Sequence, residues 1–362
     1  MQQNKPTLKS YSNKKMKQLF FAIALVAMTV LTGCKKSLSE IVMPESSGAP
    51  YELYVVMPEE LRGTALDDSI RMIFEYPMEC TPNGDAYFRL RYLTPENFRS
   101  SVIKIVTNVF TVDIDAQNAA APVVKTERDA YALHQVIVNA HAKTTDTLAA
   151  YLPQLQESLR SIYVRNELNR RIETVLDKDH NRTQGERLLK LQNVTMLIPD
   201  YFKYPGVGAA DSAFFWCTDN GMSKESHLVV YSIPYTDQNI FTLEGAVAVR
   251  DSVMRANIEG GIDGSYMTTN KKVVLPEYKA LSVGGKYVGE LRGMWRMENG
   301  LMAGPFICHI RLDEVNRRVV FAEGFCYAPN DSKRVLLRNL EASLWTLRLP
   351  TDNKLPEIEV TL

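Results

Sequence analysis

The sequence contains no apolar run long enough to cross a membrane. The run at residues 19–31 has 13 residues, whereas a membrane-spanning helix needs about 20. We therefore expect no transmembrane helix there. The sequence also has no internal repeat of fixed period, and so no repeat architecture is indicated.

The standard motifs of catalysis and metal binding are missing as well. The histidines form no H-E-x-x-H zinc motif, and His134 and His141, seven residues apart, would point to opposite faces of one strand. There is no G-x-S-x-G nucleophile elbow and no phosphate-binding glycine loop, because the glycines at residues 260–264 follow a helix instead of opening one. We therefore expect no metal and no cofactor, and the balance of the sequence is against an enzyme.

Two acidic patterns resemble cation-binding or acid–base sites but have a simpler interpretation. Residues 177–181 begin like a calcium loop, yet its sixth position is Arg182 instead of glycine and its twelfth is Leu188 instead of glutamate. We interpret this segment as a polar bend between helices. Asp113 and Asp115 would project to one face at a strand end, where a solvated pair is favoured over a cation site or an acid–base pair.

The apolar run at residues 19–31 is typical of an export signal. Basic residues precede it, and Thr32 and Gly33 lie just before Cys34. A basic head, a short apolar body and small residues before the cleavage point are the parts of a secretory signal. Cleavage before Cys34 would expose a residue that can be lipidated, and several acyl chains give a stable membrane anchor. Translation can start at Met1 or at Met16.

Removal of the signal changes the charge balance of the chain. The full sequence has 42 basic and 42 acidic residues, and residues 1–33 carry five lysines and no acidic residue. The mature chain is therefore mildly acidic, with a net charge of −5. It has no basic stripe, so nucleic acid is not expected as a partner.

Hydrophobic periodicity predicts an α+β protein of two mixed lobes with mainly antiparallel sheets. Strands at residues 106–114 and 135–142 belong to the N-terminal lobe, and a long helical pattern at residues 153–176 joins the lobes. Thr242 can cap a helix of the C-terminal lobe. The predicted segments are a signal peptide (1–33), a flexible tether (34–49), an N-terminal lobe (50–143), a helical connector (144–192), a C-terminal lobe (193–349) and a tail (350–362).

Arg250 falls in the middle of the apolar face of the helix after Thr242. A buried guanidinium needs a carboxylate partner or an opening to solvent. Two interpretations stay open: a salt bridge that fixes the geometry of the lobe, or an anion-binding arginine at the floor of a cleft. Solvent exposure of the Trp295 ring beside Arg292 would favour the binding cleft, and its complete burial would rule that cleft out. The candidate ligand-binding residues are Arg250, Tyr266, Glu290, Arg292, Trp295 and Glu323.

Four cysteines follow Cys34, in a compartment where disulfides can form. Cys308 and Cys326 lie in two strand-like runs on either side of a turn near Arg317. A hairpin centred there would place them across from each other, so they form either a disulfide or two buried free thiols.

Several short segments of the C-terminal lobe resemble a known family. They are GSYM (264–267), ELRGMW (290–295), MAGPF (302–306), EGFCYAP (323–329), KR (333–334) and LEA (340–342). In this order they resemble the Bacteroidota lipoprotein family catalogued as domain of unknown function 4837, and residues 46–50 and 112–115 extend the resemblance over nearly all of the mature chain. It implies an envelope lipoprotein with no assigned activity. In such lipoproteins an acidic run after the cysteine resembles a surface-export tag, and residues 35–39 lack one, which favours a periplasm-facing position at the outer membrane.

Three functions remain open at this point. The first is a lipid-anchored protein with a non-catalytic binding or envelope-support role, whose partner is an unidentified envelope protein or glycan. The second is a glycan- or peptide-binding module with a cleft near Arg250, Arg292 and Trp295. The third is a hydrolase of envelope polymers, which needs two carboxylates at glycosidase separation in an open cleft.

Overall fold

The computed structural model describes residues 43–81, 84–100, 102–206, 212–283 and 285–352. The predicted signal peptide, Cys34 and most of the tether lie outside the described residues, as does the end of the predicted tail. Helices and sheets combine in an α+β fold, which confirms the predicted class. No helix within the described ranges has both the length and the apolar character to cross a membrane.

The N-terminal sheet has five strands in the order β2-β1-β3-β5-β4. The strands are β1 (Glu52–Val56), β2 (Arg89–Leu93), β3 (Asn108–Ile114), β4 (Val123–Arg128) and β5 (Val136–Ala142). The prediction of mainly antiparallel strands is not met in this sheet, because β1 is parallel to β2 and β3, and β3 is parallel to β5. Parallel neighbours need crossover connections. Helices α1 (Ala65–Phe74) and α2 (Pro95–Arg99) lie in two of them.

A helical segment follows this sheet, as predicted. It comprises α3 (Thr145–Tyr151), α4 (Gln156–Arg171), a π-helical turn (Ile172–Leu176) and α5 (Arg182–Gln192). Leu159, Ile162 and Tyr163 place the apolar side of α4 in the hydrophobic core. The Tyr163 hydroxyl donates to the carbonyl oxygen of Val109 at 2.7 Å, which ties α4 to β3.

The C-terminal sheet is antiparallel throughout its described pairings, as predicted, in the order β10-β11-β12-β13-β8-β7-β6 with β9 beside β11. The strands are β6 (Tyr204–Pro205), β7 (Phe215–Thr218), β8 (Glu225–Pro234), β9 (Tyr266–Thr269), β10 (Glu277–Val283), β11 (Lys286–Glu298), β12 (Ala303–Asp313) and β13 (Arg318–Tyr327).

Helices pack on both faces of the C-terminal sheet, and α6 (Leu243–Asn257) and α7 (Arg334–Trp345) lie on opposite faces. Helix α6 belongs to a core with Leu291 and Trp295, and the Thr242 side chain caps it by accepting from the Gly245 amide at 3.1 Å. Helix α7 covers the other face. A Cβ on Gly324 would lie 2.6 Å from Leu340 Cβ, so the glycine permits this close approach. The core on the α7 side also contains residues of the N-terminal sheet, so both sheets share it.

The described cysteines Cys80, Cys217, Cys308 and Cys326 are free and buried. The disulfide alternative for Cys308 and Cys326 is therefore wrong, and the free-thiol alternative is confirmed. The strand register explains this outcome, because Cys308 pairs with Glu323 and packs on the α6 side, whereas Cys326 packs on the α7 side.

Candidate functional site

Arg250 lies on α6 in the centre of the face that packs on the sheet, as its spacing predicts. Its guanidinium donates to both oxygens of the Glu323 carboxylate, from Nε at 2.8 Å and from Nη2 at 2.7 Å. Nη1 donates to the Thr269 hydroxyl at 2.9 Å, and the centroid of the Phe306 ring lies 3.7 Å from the guanidinium carbon. Both charged side chains are 0% exposed. This arrangement is a sealed structural salt bridge, the first of the two interpretations that the sequence left open.

Trp295 is also part of the core on the α6 side. It is 1% exposed, and its indole nitrogen donates to the carbonyl oxygen of Cys326 at 3.2 Å. Tyr266 packs separately, with its ring centroid 4.2 Å from the Arg255 guanidinium carbon. Arg292 points to the other side, because three positions separate it from Trp295 and successive strand residues alternate in direction. The single cleft predicted around Arg250, Arg292 and Trp295 is therefore not formed.

A cavity of about 650 Å³ lies on the α7 side of the C-terminal sheet. Side chains of α4, β10, β11 and α7 line it, together with Glu79 and Tyr87 from the segment before β2. Its lining thus comes from both the N-terminal and the C-terminal parts of the fold. Ligand sites are typically cavities of about 300–1,000 Å³, and they occur preferentially at such junctions.

Arg292 is the central cation of the cavity lining. Nε donates to Glu290 Oε1 at 2.7 Å, and Nη2 donates to Glu290 Oε2 at 3.1 Å and to Glu341 Oε1 at 2.7 Å. Its remaining amino group, Nη1, is buried and has no hydrogen-bond partner among the described residues. One guanidinium therefore holds two carboxylates and keeps a spare donor.

Arg338 extends this network on α7. Its Nη1 donates to Glu341 Oε2 at 2.6 Å, while its Nε is buried without a partner in the described part of the chain. Trp345 also lines the cavity, and its indole nitrogen has no partner there either. Burying an unsatisfied donor has a free-energy cost. The lining thus contains three such donors, on Arg292, Arg338 and Trp345.

A second acidic group lies among the N-terminal residues of the lining. The Tyr87 hydroxyl donates to the Glu79 carboxylate, and Lys279 Nζ on β10 lies 3.4 Å from the same carboxylate. This contact joins the segment before β2 to β10. Basic residues of α4 also line the cavity, and Arg160 lies with its guanidinium carbon 5.4 Å from the Tyr87 ring centroid.

Electrostatics keep the cavity carboxylates ionised. Burial opposes the charge of Glu290 and Glu341, but the attraction of Arg292 together with the hydrogen bonds that each carboxylate accepts outweighs it, so the pKa of both is lowered. The hydrogen bond from Tyr87 likewise lowers the pKa of Glu79 against the effect of burial. A carboxyl that donates a proton in catalysis needs a raised pKa. These three groups are therefore suited to pairing with cations.

The outer edge of β10 is open beside the cavity. Within the described residues β10 pairs only with β11, and Glu277, Lys279, Ala280 and Ser282 are exposed. Alternate residues of such an edge direct their N–H and C=O groups away from the sheet, where another strand can pair with them. Charged side chains on the edge reduce indiscriminate pairing.

Only part of this site follows from the sequence analysis. Glu290 and Arg292 were among the candidate residues, but Glu79, Tyr87, Lys279 and Arg338 were not. The spacing of Arg338 and Glu341, three positions apart on one helix, is a sequence signal that indicates a pair. No group of three or more His, Cys, Asp or Glu side chains in the described ranges is arranged to hold a metal ion.

Fold and site together define an α+β protein with a charged cavity at the junction of its two parts. Residues 181–346 match the family model described as "Domain of unknown function (DUF4837)". This match supports the predicted assignment of the C-terminal part of the chain to that family. Residues 46–176 match a different model, "Domain of unknown function (DUF8532)", so the predicted extension of the first family over nearly all of the mature chain is wrong. No curated protein matches the chain.

Proposed function

We propose that this chain is an envelope lipoprotein whose folded part binds a short extended peptide without catalysing a reaction. The signal at residues 1–33 and acylation of Cys34 would hold it at the outer membrane, facing the periplasm. The observation that carries the binding role is the cavity, because an open strand edge and a prearranged ion network border the same space.

A peptide fits this site better than a glycan. The edge of β10 offers backbone donors and acceptors to an extended chain, a recurring mode of peptide recognition. Cavity side chains of both signs can pair with the charged groups of a peptide. A glycan site would be expected to offer exposed aromatic faces, but Tyr87 and Trp345 are buried.

The carboxylates favour binding over the hydrolase alternative. A glycosidase needs one carboxyl that holds a proton near neutral pH. The pKa values of Glu79, Glu290 and Glu341 are shifted downward instead. Burial also raises the pKa of the Cys80 thiol to about 12, which disfavours a thiolate nucleophile.

A random-peptide phage library, panned on the full-length protein in nanodiscs, would supply the probe. The selected peptide is then resynthesised with one backbone N-methyl group at each position in turn. Added-strand pairing predicts that every second N-methyl group weakens binding at least about tenfold, since each blocks an outward-facing hydrogen bond, while the intervening groups have little effect. Loss without this two-residue period would contradict pairing with β10, and mass-spectrometric detection of peptide cleavage would contradict a non-catalytic role.

Two charge reversals locate the site. Lys279→Glu changes the β10 edge beside the cavity, whereas Lys271→Glu changes a similarly exposed, carboxylate-paired lysine away from it. The selected peptide is expected to lose or gain affinity, according to its own charge, only with the first variant. Equal responses from both would argue against the cavity.

A further inference from the structure

We propose that the cavity on the α7 side recognises a carboxylate group of its ligand, and that the side chains of Arg292, Arg338 and Trp345 hold this group. The inference deepens the proposed function and rests on it for the identity of the ligand as a peptide. The carboxylate is then either the C-terminal group of the peptide or an Asp or Glu side chain. The anion site itself stands on three buried donors of the protein.

These three donors are nitrogen atoms without a hydrogen-bond partner among the described residues. They are Arg292 Nη1, Arg338 Nε and Trp345 Nε1, on cavity-lining side chains that are 7%, 3% and 9% exposed. An unpaired buried donor destabilises a protein, and more so when it is charged. Guanidinium and indole nitrogens donate and cannot accept, so the matching ligand group must be an acceptor.

The donors lie in one region of the lining, around Glu341. Arg292 Nη2 and Arg338 Nη1 donate to the two oxygens of the Glu341 carboxylate, at 2.7 and 2.6 Å. The two guanidinium groups are therefore neighbours. Trp345 follows Glu341 by four residues, which is about one turn along the same face of α7. A single ligand group that enters here thus meets donors from both β11 and α7.

The charge of the lining fits a ligand group with one negative charge. Five basic and four acidic side chains line the cavity, so its formal net charge is +1. A carboxylate neutralises this excess, whereas a phosphate ester carries a charge between −1.5 and −2, by about that much more than is needed. The planar guanidinium also matches the geometry of a carboxylate.

Entry of the carboxylate requires a small adjustment of the lining. The three donor atoms are covered by neighbouring atoms of the protein, so a side chain must move before a ligand oxygen reaches them. Side-chain changes of this kind are common at binding sites whose backbone stays in place. Because Arg292 and Arg338 share Glu341, either of them can turn to the ligand while the other keeps this carboxylate paired.

Fluorine NMR of the full-length protein in nanodiscs tests the carboxylate directly. Labelling with 5-fluorotryptophan gives one resonance for each of the three tryptophans, and Trp→Phe variants assign them. The probes are N-acetylalanine, which has an α-carboxylate, the α-amide of N-acetylaspartate, which has only a side-chain carboxylate, and neutral N-acetylalaninamide. They are titrated at constant ionic strength to about 100 mM, well above the millimolar affinity expected of such small molecules.

We expect at least one acid to shift the Trp345 resonance saturably and the neutral amide to leave it in place. The acid that binds more tightly identifies the source of the carboxylate, the C-terminus or a side chain. Trp295, on the sealed α6 side, already donates to the carbonyl oxygen of Cys326, so its resonance should not shift with any probe. Equal shifts of Trp345 with acid and amide, or no shift with either acid, would overturn the proposal.

A pair of matched variants locates the site. Arg338→Gln removes the unpaired Nε and the charge, and should weaken binding of the acid at least about tenfold. Arg311→Gln is the control, because Arg311 is also buried, also pairs with a carboxylate, that of Asp352, and also has an unpartnered Nε among the described residues, but does not line the cavity. An unchanged Trp295 resonance verifies folding. If Arg338→Gln does not fold, Trp345→Phe with titration calorimetry replaces it. Equal weakening by the cavity variant and the control would contradict the site.

The two proposals can fail separately. If an acid shifts Trp345 selectively but the library yields no peptide, the carboxylate site stands and the proposed function is wrong. If a selected peptide shows the two-residue N-methyl period but neither acid acts on Trp345, the function stands and the carboxylate site is wrong. If both hold, amidation of the peptide's C-terminus or conversion of its acidic side chains to amides should weaken binding at least about tenfold.

Discussion

The C-terminal sheet carries one buried arginine–glutamate site on each face, and the two differ in how completely their hydrogen bonds are satisfied. On the α6 side, Arg250 binds Glu323 with two hydrogen bonds, and its third nitrogen reaches Thr269. On the α7 side, Arg292 holds two carboxylates and keeps Nη1 without a partner among the described residues. The first site is closed on all sides by side chains, whereas the second borders a cavity.

This difference shows that an arginine among the apolar positions of a helix or strand does not by itself indicate a binding site. A sealed pair with matched geometry fixes the packing of a helix on a sheet, and its charges cannot reach a ligand. An arginine with spare donors beside a cavity can still exchange a partner. The comparison predicts that the α6-side pair matters most for stability and the α7-side network matters most for binding.

The largest expected effect is that of Arg250→Ala. The substitution leaves Glu323 buried without a counter-charge, and breaking a buried pair in this way costs about 3–5 kcal/mol. The free energy of unfolding from urea denaturation measures it. The double variant Arg250→Met, Glu323→Leu removes both charges and should recover most of the loss. If the double variant is as unstable as Arg250→Ala, the loss comes from packing and not from the unpaired carboxylate.

Arg292→Ala should be less destabilising than Arg250→Ala. We expect it to lower the free energy of unfolding by about 1–3 kcal/mol, because Glu341 keeps its bond to Arg338 and the adjoining cavity admits water to Glu290. The same variant is expected to weaken binding of the selected peptide at least about tenfold. Urea denaturation and titration calorimetry measure the two effects. Arg292→Lys preserves the charge but not the two-pronged geometry, so it should retain more stability than binding. If Arg292→Ala is as destabilising as Arg250→Ala, the contrast between the two faces is lost.

Much of the fold follows from the sequence, because apolar spacing and capping residues are signals that lie within a single element. The spacing of apolar residues predicts α4 and α6, and Thr242 predicts the beginning of α6 with its capping bond. Four strands, β4, β6, β9 and β10, were not predicted, since their residues are few or mostly exposed. Strand direction in the N-terminal sheet was also missed, because alternation within a strand does not reveal its neighbours.

The candidate functional site was harder to predict, because the pattern within one strand or helix does not reveal which elements lie beside it. Missing β10 hid Lys279 and the open edge. The four-residue spacing of Leu336, Leu340 and Leu344 indicates only a single apolar face for α7. In the structure the N-terminal part packs on α7 as well, so Arg338 and Glu341 are buried on sides that a single-helix pattern assigns to solvent. The separation of Arg292 from Trp295 was predictable, since an odd spacing in a strand places two residues on opposite faces.

The smallest expected effect comes from an exposed ion-pair site, which extends the comparison to the surface. His134 lies 3.0 Å from Glu45 through Nδ1 and 2.9 Å from Glu173 through Nε2, but the two carboxylate side chains are 53% and 62% exposed. Burial opposes protonation of His134, yet the hydrogen bonds to Glu173 and Glu45 outweigh it and raise the pKa. A raised pKa in the folded state means that the contribution to stability is complete below the unfolded value of 6.5 and is lost as pH rises through the folded value.

His134→Gln should therefore cost about 0.5 kcal/mol at pH 5.5 and close to nothing at pH 9, as exposed pairs typically contribute little. Chemical denaturation at the two pH values measures this difference, and Glu173→Gln should reproduce about half of it. A loss for His134→Gln that is larger at pH 9 than at pH 5.5 would reverse the sign and show that the neutral imidazole, not the ion pair, stabilises this contact.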